Sequence, residues 1–219
     1  MRKPPPAPSI GRKFAFASPK VEIVISCEGK VTERRYLEDC KNEYGSGLVK
    51  IRFLPITGVP LTVVQAAIEE RNELIAERRR SKDSFDVFKV WAVFDKDEHP
   101  HVKEALELAR ENKIEVAFSN PCFEIWPLLH LVDYGSQDGR HSVQARLKEE
   151  MPGYDHEDGA IVDFHAIKDD FPTAYERARR HNAMREAEGV PLGCPSTTVG
   201  ELVRKIVENG KGTFAKKAR

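Results

Sequence analysis

The sequence predicts an α/β protein: a mostly parallel four-stranded sheet with helices on both faces, followed by a mainly helical C-terminal part. Three observations predict it. Two runs rich in β-branched and aromatic residues, VEIVISC and FDVFKVWAVF, read as buried strands. Two further strand-like runs, VKIRFLPI and IEVAFS, alternate with them, and helical stretches separate all four. The resulting βαβαβαβα order is that of a parallel sheet covered on both faces.

Each element has a local reason. The first strand spans about 21–27, and Gly29 permits a tight turn directly after Glu28. Thr32 is placed to cap a helix that starts at Glu33 and runs through RRYLEDCKNEY, and GSG at 45–47 stops it. The second strand covers 49–56, and Gly58 and Pro60 punctuate the next turn. A long helix over 61–80 carries Val64, Ala67, Ile68 and Ile75 on one face. After the third strand, Val102, Ala105, Leu106 and Ala109 mark a helix at 100–112. The fourth strand is 114–119. Asn120 then reads as an N-cap and Pro121 as the first residue of a helix that Pro127 kinks.

Beyond 136 the chain reads as mainly helical, with GAIVDF at 159–164 as a candidate added strand. In TTVGELVRKIVENG, Thr198 and Glu201 fit a capping box, an apolar stripe follows, and Gly210 ends the helix. These readings divide the chain into four parts. They are a proline-rich basic arm at 1–20, the α/β core at 21–135, a helical extension at 136–210 packed on the core, and a basic tail at 211–219. The arm is either a solvated tail or a contact for phosphate.

Composition narrows the function classes. Thirty-five basic residues balance thirty-five acidic ones among 219, so no global field favours nucleic acid or a membrane surface. Affinity for nucleic acid would then come from local charge or from a partner. No apolar run approaches a membrane span, and no signal peptide is visible. Four cysteines without a CxxC pair argue against a zinc site and a disulfide framework, and a reducing cytoplasm is the default expectation. There is no GxxxxGKS phosphate loop.

The chemistry is expected where strands end. Ligands of open parallel sheets bind at the carboxyl edge. Glu28 ends the first strand there, and Asp95 and Asp97 end the third. If the two strands are neighbours, these carboxylates converge, and a divalent cation would offset their repulsion. Two aspartates two apart on an extended chain face one side, and hard oxygen donors suit Mg2+ or Mn2+. An acidic pair after a strand is otherwise a solvated turn. Glu28 either handles a proton or holds metal. Glu33 is either helix-end chemistry or part of the site. Lys30 is either a phosphate contact or a surface lysine, and His99 either a ligand or proton carrier or an exposed loop residue. Asn120 ends the fourth strand on the same edge, where helix amides would hold a phosphate, and Glu124, one turn on, either adds a metal-binding carboxylate to the site or anchors a neighbouring loop. Arg177, Arg179 and Arg180 are candidate nucleic-acid contacts or a solvated helix face.

Taken together, CEGKVTE with Tyr36, FDKDEH, SNPCFEIWPLLH and PSTTVGELV, in this order over 21–209, resemble the RloB-like proteins. These are similar to the TOPRIM fold of topoisomerases, primases and OLD-family nucleases. The resemblance implies a TOPRIM-like core with Glu28 as its acid–base or metal-binding glutamate and Asp95 and Asp97 as its metal-binding DxD. Lys96 stands where arginine is common. It also implies a bacterial restriction or phage-defence setting, with an ATPase partner encoded nearby and this chain as the nuclease-like subunit. The expected function is therefore Mg2+- or Mn2+-dependent phosphodiester cleavage of DNA or RNA, with no membrane role; oligomeric state, including a homo-oligomer, stays open. The alternative is a non-catalytic metal-binding sensor or scaffold subunit of such a complex. An acyl-phosphate receiver lacks its later lysine in IEVAFSNP, and a haloacid-dehalogenase-like phosphatase would carry its DxD on the first strand.

Overall fold

The computed structural model describes residues 19–80, 87–97, 99–157 and 159–210. The basic tail and nearly all of the proline-rich arm lie outside the described residues. A five-stranded sheet has the order β2-β1-β3-β4-β5. The strands are β1 (Val21–Cys27), β2 (Val49–Phe53), β3 (Val87–Asp95), β4 (Glu115–Asn120) and β5 (Ser196–Thr197). The first four run parallel, as expected from their helical crossovers, and β5 adds antiparallel to the edge of β4. All seven residues of β1 are buried, because it is flanked by β2 and β3 and covered on both faces.

Alternation along β1 sorts the helices. Ile23, Ile25 and Cys27 face one core, shared with Tyr36, Leu37 and Cys40 of α1 (Thr32–Tyr44) and with Leu202, Val203 and Ile206 of α8 (Val199–Asn209). Val24 faces a second core. It is shared with Val63 and Val64 of α2 (Pro60–Arg80) and Ala105 and Ala109 of α3 (Val102–Glu111). The β1–β2 and β2–β3 crossovers therefore lie on opposite faces. Strand order reverses between β1 and β3, which opens a crevice beyond their carboxyl ends.

The first core continues into α4 (Ile125–Leu131), α5 (Arg140–Glu150), α6 (Phe164–Ile167) and α7 (Phe171–Ala187). Trp126 of α4 is its centre: its indole donates to the Tyr36 hydroxyl at 2.7 Å. Gly200 lies against the same ring. A Cβ there would stand 2.8 Å from Tyr175 Cδ2 and 3.0 Å from two Trp126 ring atoms. Gly200→Ala is therefore expected to lower stability by roughly 1–2 kcal/mol despite its better helix propensity. Equilibrium urea unfolding checks this.

Several local expectations are corrected. GAIVDF forms no strand; it leads into α6, and the added strand is instead Ser196–Thr197, too short to show a period in sequence. Asn120 does not cap a helix. It ends β4, its amide donates to the Leu192 carbonyl at 2.9 Å, and α4 begins only at Ile125 after Glu124. Pro127 thus falls in the first turn of α4, where a missing N–H has no intrahelical acceptor to lose and no kink is required. Thr32 is helical rather than capping, since Val31 holds the cap position. Thr198 does sit at the N-cap of α8, but its hydroxyl bonds the Val116 carbonyl and accepts from the Phe118 amide, while Glu201 receives Tyr175. The capping box is absent because both side chains serve tertiary contacts.

Candidate active site

The crevice between β1 and β3 is built from backbone outward. Past the end of β1, the Glu28 amide donates to the Val93 carbonyl at 2.9 Å, which keeps the chain in register with β3 for one more residue. The Glu28 carboxylate then bridges two segments. One oxygen accepts the Asp95 amide at 3.2 Å, and the other lies 2.6 Å from His99 Nε2. Asp95, the last residue of β3, accepts the Phe123 amide at 3.0 Å. The first and third strands are neighbours, and their terminal carboxylates meet.

Asp97 joins them by a different route from the one expected. The extended geometry ends at Asp95. Asp97 sits in a turn at φ +32, and its amide donates to the Pro121 carbonyl. Asp97 nevertheless lines a cavity of about 170 Å³ together with Glu33, Asp95, Glu124, Arg140 and His156, and Glu28 borders it through its bond to the Asp95 amide. Arg140 pairs with Asp97 at 2.7 Å. Glu124 is buried at the start of α4, where it accepts the Tyr154 hydroxyl at 2.7 Å and faces His156 at 3.1 Å.

Glu33 is buried in the first turn of α1, 8% exposed. Gly29 makes this possible: a Cβ there would fall 2.1 Å from Glu33 Oε2. The glycine is needed for room, and its φ is not in the left-handed region. Burial pushes the Glu33 carboxyl up to about 7, with Glu124 and Glu28 adding to the rise. Burial, then Glu33, Glu124 and Glu28, hold Asp95 well above the ordinary carboxylate range. Burial also raises Glu28, against the opposing pull of the Asp95 amide and His99. The crevice thus gathers carboxylates, with Glu33 and Glu124 buried, whose ionised forms burial and mutual repulsion disfavour.

In chemical kind, this donor set fits a hard divalent ion. Among the described residues, however, no three His, Cys, Asp or Glu side chains are arranged to hold a metal. Asp97 is turned to Arg140 and Glu28 to His99. Binding would require side-chain rotation.

A model of the RloB-like protein family matches residues 23–206. The chain belongs to the RloB-like family. No curated protein and no solved structure matches it. The matched span begins in β1 and ends in α8, so it takes in every strand of the RloB-like sheet and all the carboxylates of the crevice.

The remaining expected residues divide. Lys30 is exposed on the turn after β1 and does not line the cavity. Asn120 is at the expected strand end but is committed to Leu192. The α7 arginines lie elsewhere. Arg177 donates to the Leu129 and His130 carbonyls at the end of α4, Arg179 stacks over Tyr175, and Arg180 pairs with Asp133. Arg177→Ala is expected to cost about 1–3 kcal/mol of stability, read by thermal melting, because two carbonyls lose a charged donor. The crevice also contains residues the sequence did not single out: Arg140, Gln144, Tyr154 and His156. They come from α5 and the segment after it, and only the fold brings them to Asp97 and Glu124. All four cysteines are free, with Cys27, Cys40 and Cys122 buried, and no helix among the described residues is long and apolar enough to cross a membrane.

Proposed function

We propose that this chain is a metal-dependent phosphodiester-cleaving subunit with a TOPRIM-like core, acting on DNA or RNA with an ATPase partner in a bacterial restriction or phage-defence system. The observation that carries the reading is the meeting of Glu28 and Asp95 at the strand-order reversal, with Glu33, Asp97 and Glu124 beside them. Asp95, Glu33 and Glu124 would hold Mg2+ or Mn2+, with Asp97 or Glu28 contributing after rotation. When bound, the ion offsets charge on the phosphodiester. Glu28 and His99, 2.6 Å apart, are placed to supply a proton to, or take one from, a reacting oxygen. Arg140, at the cavity wall, faces the developing negative charge. The ATPase partner and the defence setting rest on family resemblance.

The unassembled donor set is what favours the alternative, a non-catalytic metal-binding sensor or scaffold. One experiment separates the two. The protein, with and without the ATPase encoded nearby, is offered plasmid, linear DNA, single strands and tRNA with Mg2+ or Mn2+. Cleavage that disappears in the Asp95→Ala, Asp97→Ala double variant supports the enzyme. Cleavage that survives in that variant removes the site. Metal binding with no cleavage under any condition supports the scaffold.

A further inference from the structure

A second, larger cavity of about 620 Å³ opens beside the carboxylates, between α3 and the loop 189–193. A short chain of contacts links the two: His99 lines the second cavity, its Nε2 contacts Glu28, and the other Glu28 oxygen accepts the amide of Asp95, which lines the first. The walls of the second cavity are apolar. Val102 and Leu106 form one side, Val190 and Leu192 the other, and Phe118 lies at the base. Val190 is 50% exposed, high for an aliphatic side chain. The rim is basic. Lys96 and Lys103 are exposed there, and among the described residues the acid lining the groove, Glu104, is engaged by His101 at 3.0 Å.

The loop wall is already in place. Val190 donates to the Arg185 carbonyl at 2.9 Å, Gly193 to the Val190 carbonyl at 2.8 Å, and Asn120 fixes the Leu192 carbonyl. This gives Asn120 a role other than the phosphate contact expected of it: it ties the loop wall to the end of β4. A preformed slot with flat aliphatic walls and a cationic rim complements a planar, weakly polar group joined to an anion. A nucleotide has that chemistry: an unstacked base can be held in a pocket between apolar side chains, here without the aromatic platform of general single-strand binders. The chain has no net positive charge, so attraction for phosphate has to come from local groups, and the rim lysines supply one such pair.

We propose that this groove holds one unstacked nucleotide of the nucleic-acid substrate. Its base and sugar lie between α3 and the 189–193 loop, and its phosphate lies toward Lys96 and Lys103. The adjoining phosphodiester then reaches Glu28 and Asp95. This rests on the proposed cleavage reading and adds to it a requirement for single-stranded or locally unpaired substrate.

The test uses the full chain in chelator, so that nothing is cut. Short single strands of DNA and RNA carrying thiothymidine or thiouridine are photocrosslinked, and the attached peptides are read by mass spectrometry. Affinity is measured by fluorescence anisotropy for wild type, for Lys96→Glu with Lys103→Glu, and for Lys205→Glu on the opposite face as a control. The expected result is crosslinking within 99–106 or 189–193, with roughly tenfold weaker binding and a shallower salt dependence in the double variant only. Crosslinks confined elsewhere, or equal affinity in the double variant, overturn the proposal. Binding of free nucleoside monophosphate without any strand binding also overturns it. Crosslinks elsewhere alongside Asp95-dependent cleavage remove the groove but keep the nuclease. Crosslinks here with no cleavage under any condition do the reverse.

Discussion

Asp95→Asn is expected to lower metal-dependent cleavage by roughly 100-fold or more while leaving the metal-free protein as stable as wild type, or more so. The two effects have one cause. Asp95 is a half-buried carboxylate held above its ordinary pKa range by desolvation and by Glu33, Glu124 and Glu28. Its one recorded structural duty is to accept the Phe123 amide. An asparagine oxygen accepts that bond equally well, so the fold keeps its contact and loses a repulsive charge. The proposed metal site loses a donor. Initial rates at saturating Mg2+ and melting curves in chelator check the pair of outcomes. A variant that loses both activity and several degrees of melting temperature would mean that Asp95 is structural. Asp97→Asn gives a contrast. Its ion pair with Arg140 is partly exposed, with the arginine side chain 43% accessible, so its stability change is expected to stay within about 1 kcal/mol.

Much of this site was legible before the fold was known, because its main determinants are local. Glu28 and Asp95 each terminate a buried apolar run, and a parallel sheet directs such termini to one edge. What could not be read was which side chains arrive from distant parts of the chain. Arg140 lies 43 residues from Asp97 and carries no motif. Tyr154 and His156 sit in a segment without periodicity, yet they satisfy Glu124. The arginines of α7 failed in the opposite direction. A basic helix face suggests phosphate, but Arg177 is consumed by two carbonyls of α4 and Arg180 by Asp133, partners about 47 residues away. Asn120 and Pro121 match the composition of a helix start, but tertiary demand from Leu192 fixed Asn120 in the strand. Gly29 was read as turn chemistry, whereas its missing side chain leaves room for the Glu33 carboxylate.

That glycine leads to the second large effect. Glu33→Gln is expected to stabilise the metal-free protein strongly at pH 8 and by less than about 1 kcal/mol at pH 5. The Glu33 carboxyl titrates near 7 in the fold against an ordinary value of 4.5. Between those values the native state binds more protons than the unfolded chain, so stability falls as pH rises through this window and levels off above it. The full penalty at pH 8 is on the order of 3 kcal/mol, which corresponds to several degrees of melting temperature in a chain of this size. Glutamine is isosteric and fits the space beside Gly29, so it removes the penalty without a new clash. Glu28 and Asp95 are raised in the same direction, so a residual slope persists in the variant. Mg2+ added at pH 8 should stabilise wild type more than the variant, since the ion favours the ionised carboxylate. Melting curves from pH 5 to pH 8, with and without Mg2+, measure both effects. Identical pH profiles for wild type and Glu33→Gln would show that the Glu33 carboxylate is already neutralised within the fold, and the case for a cation site at this crevice would lose its energetic basis.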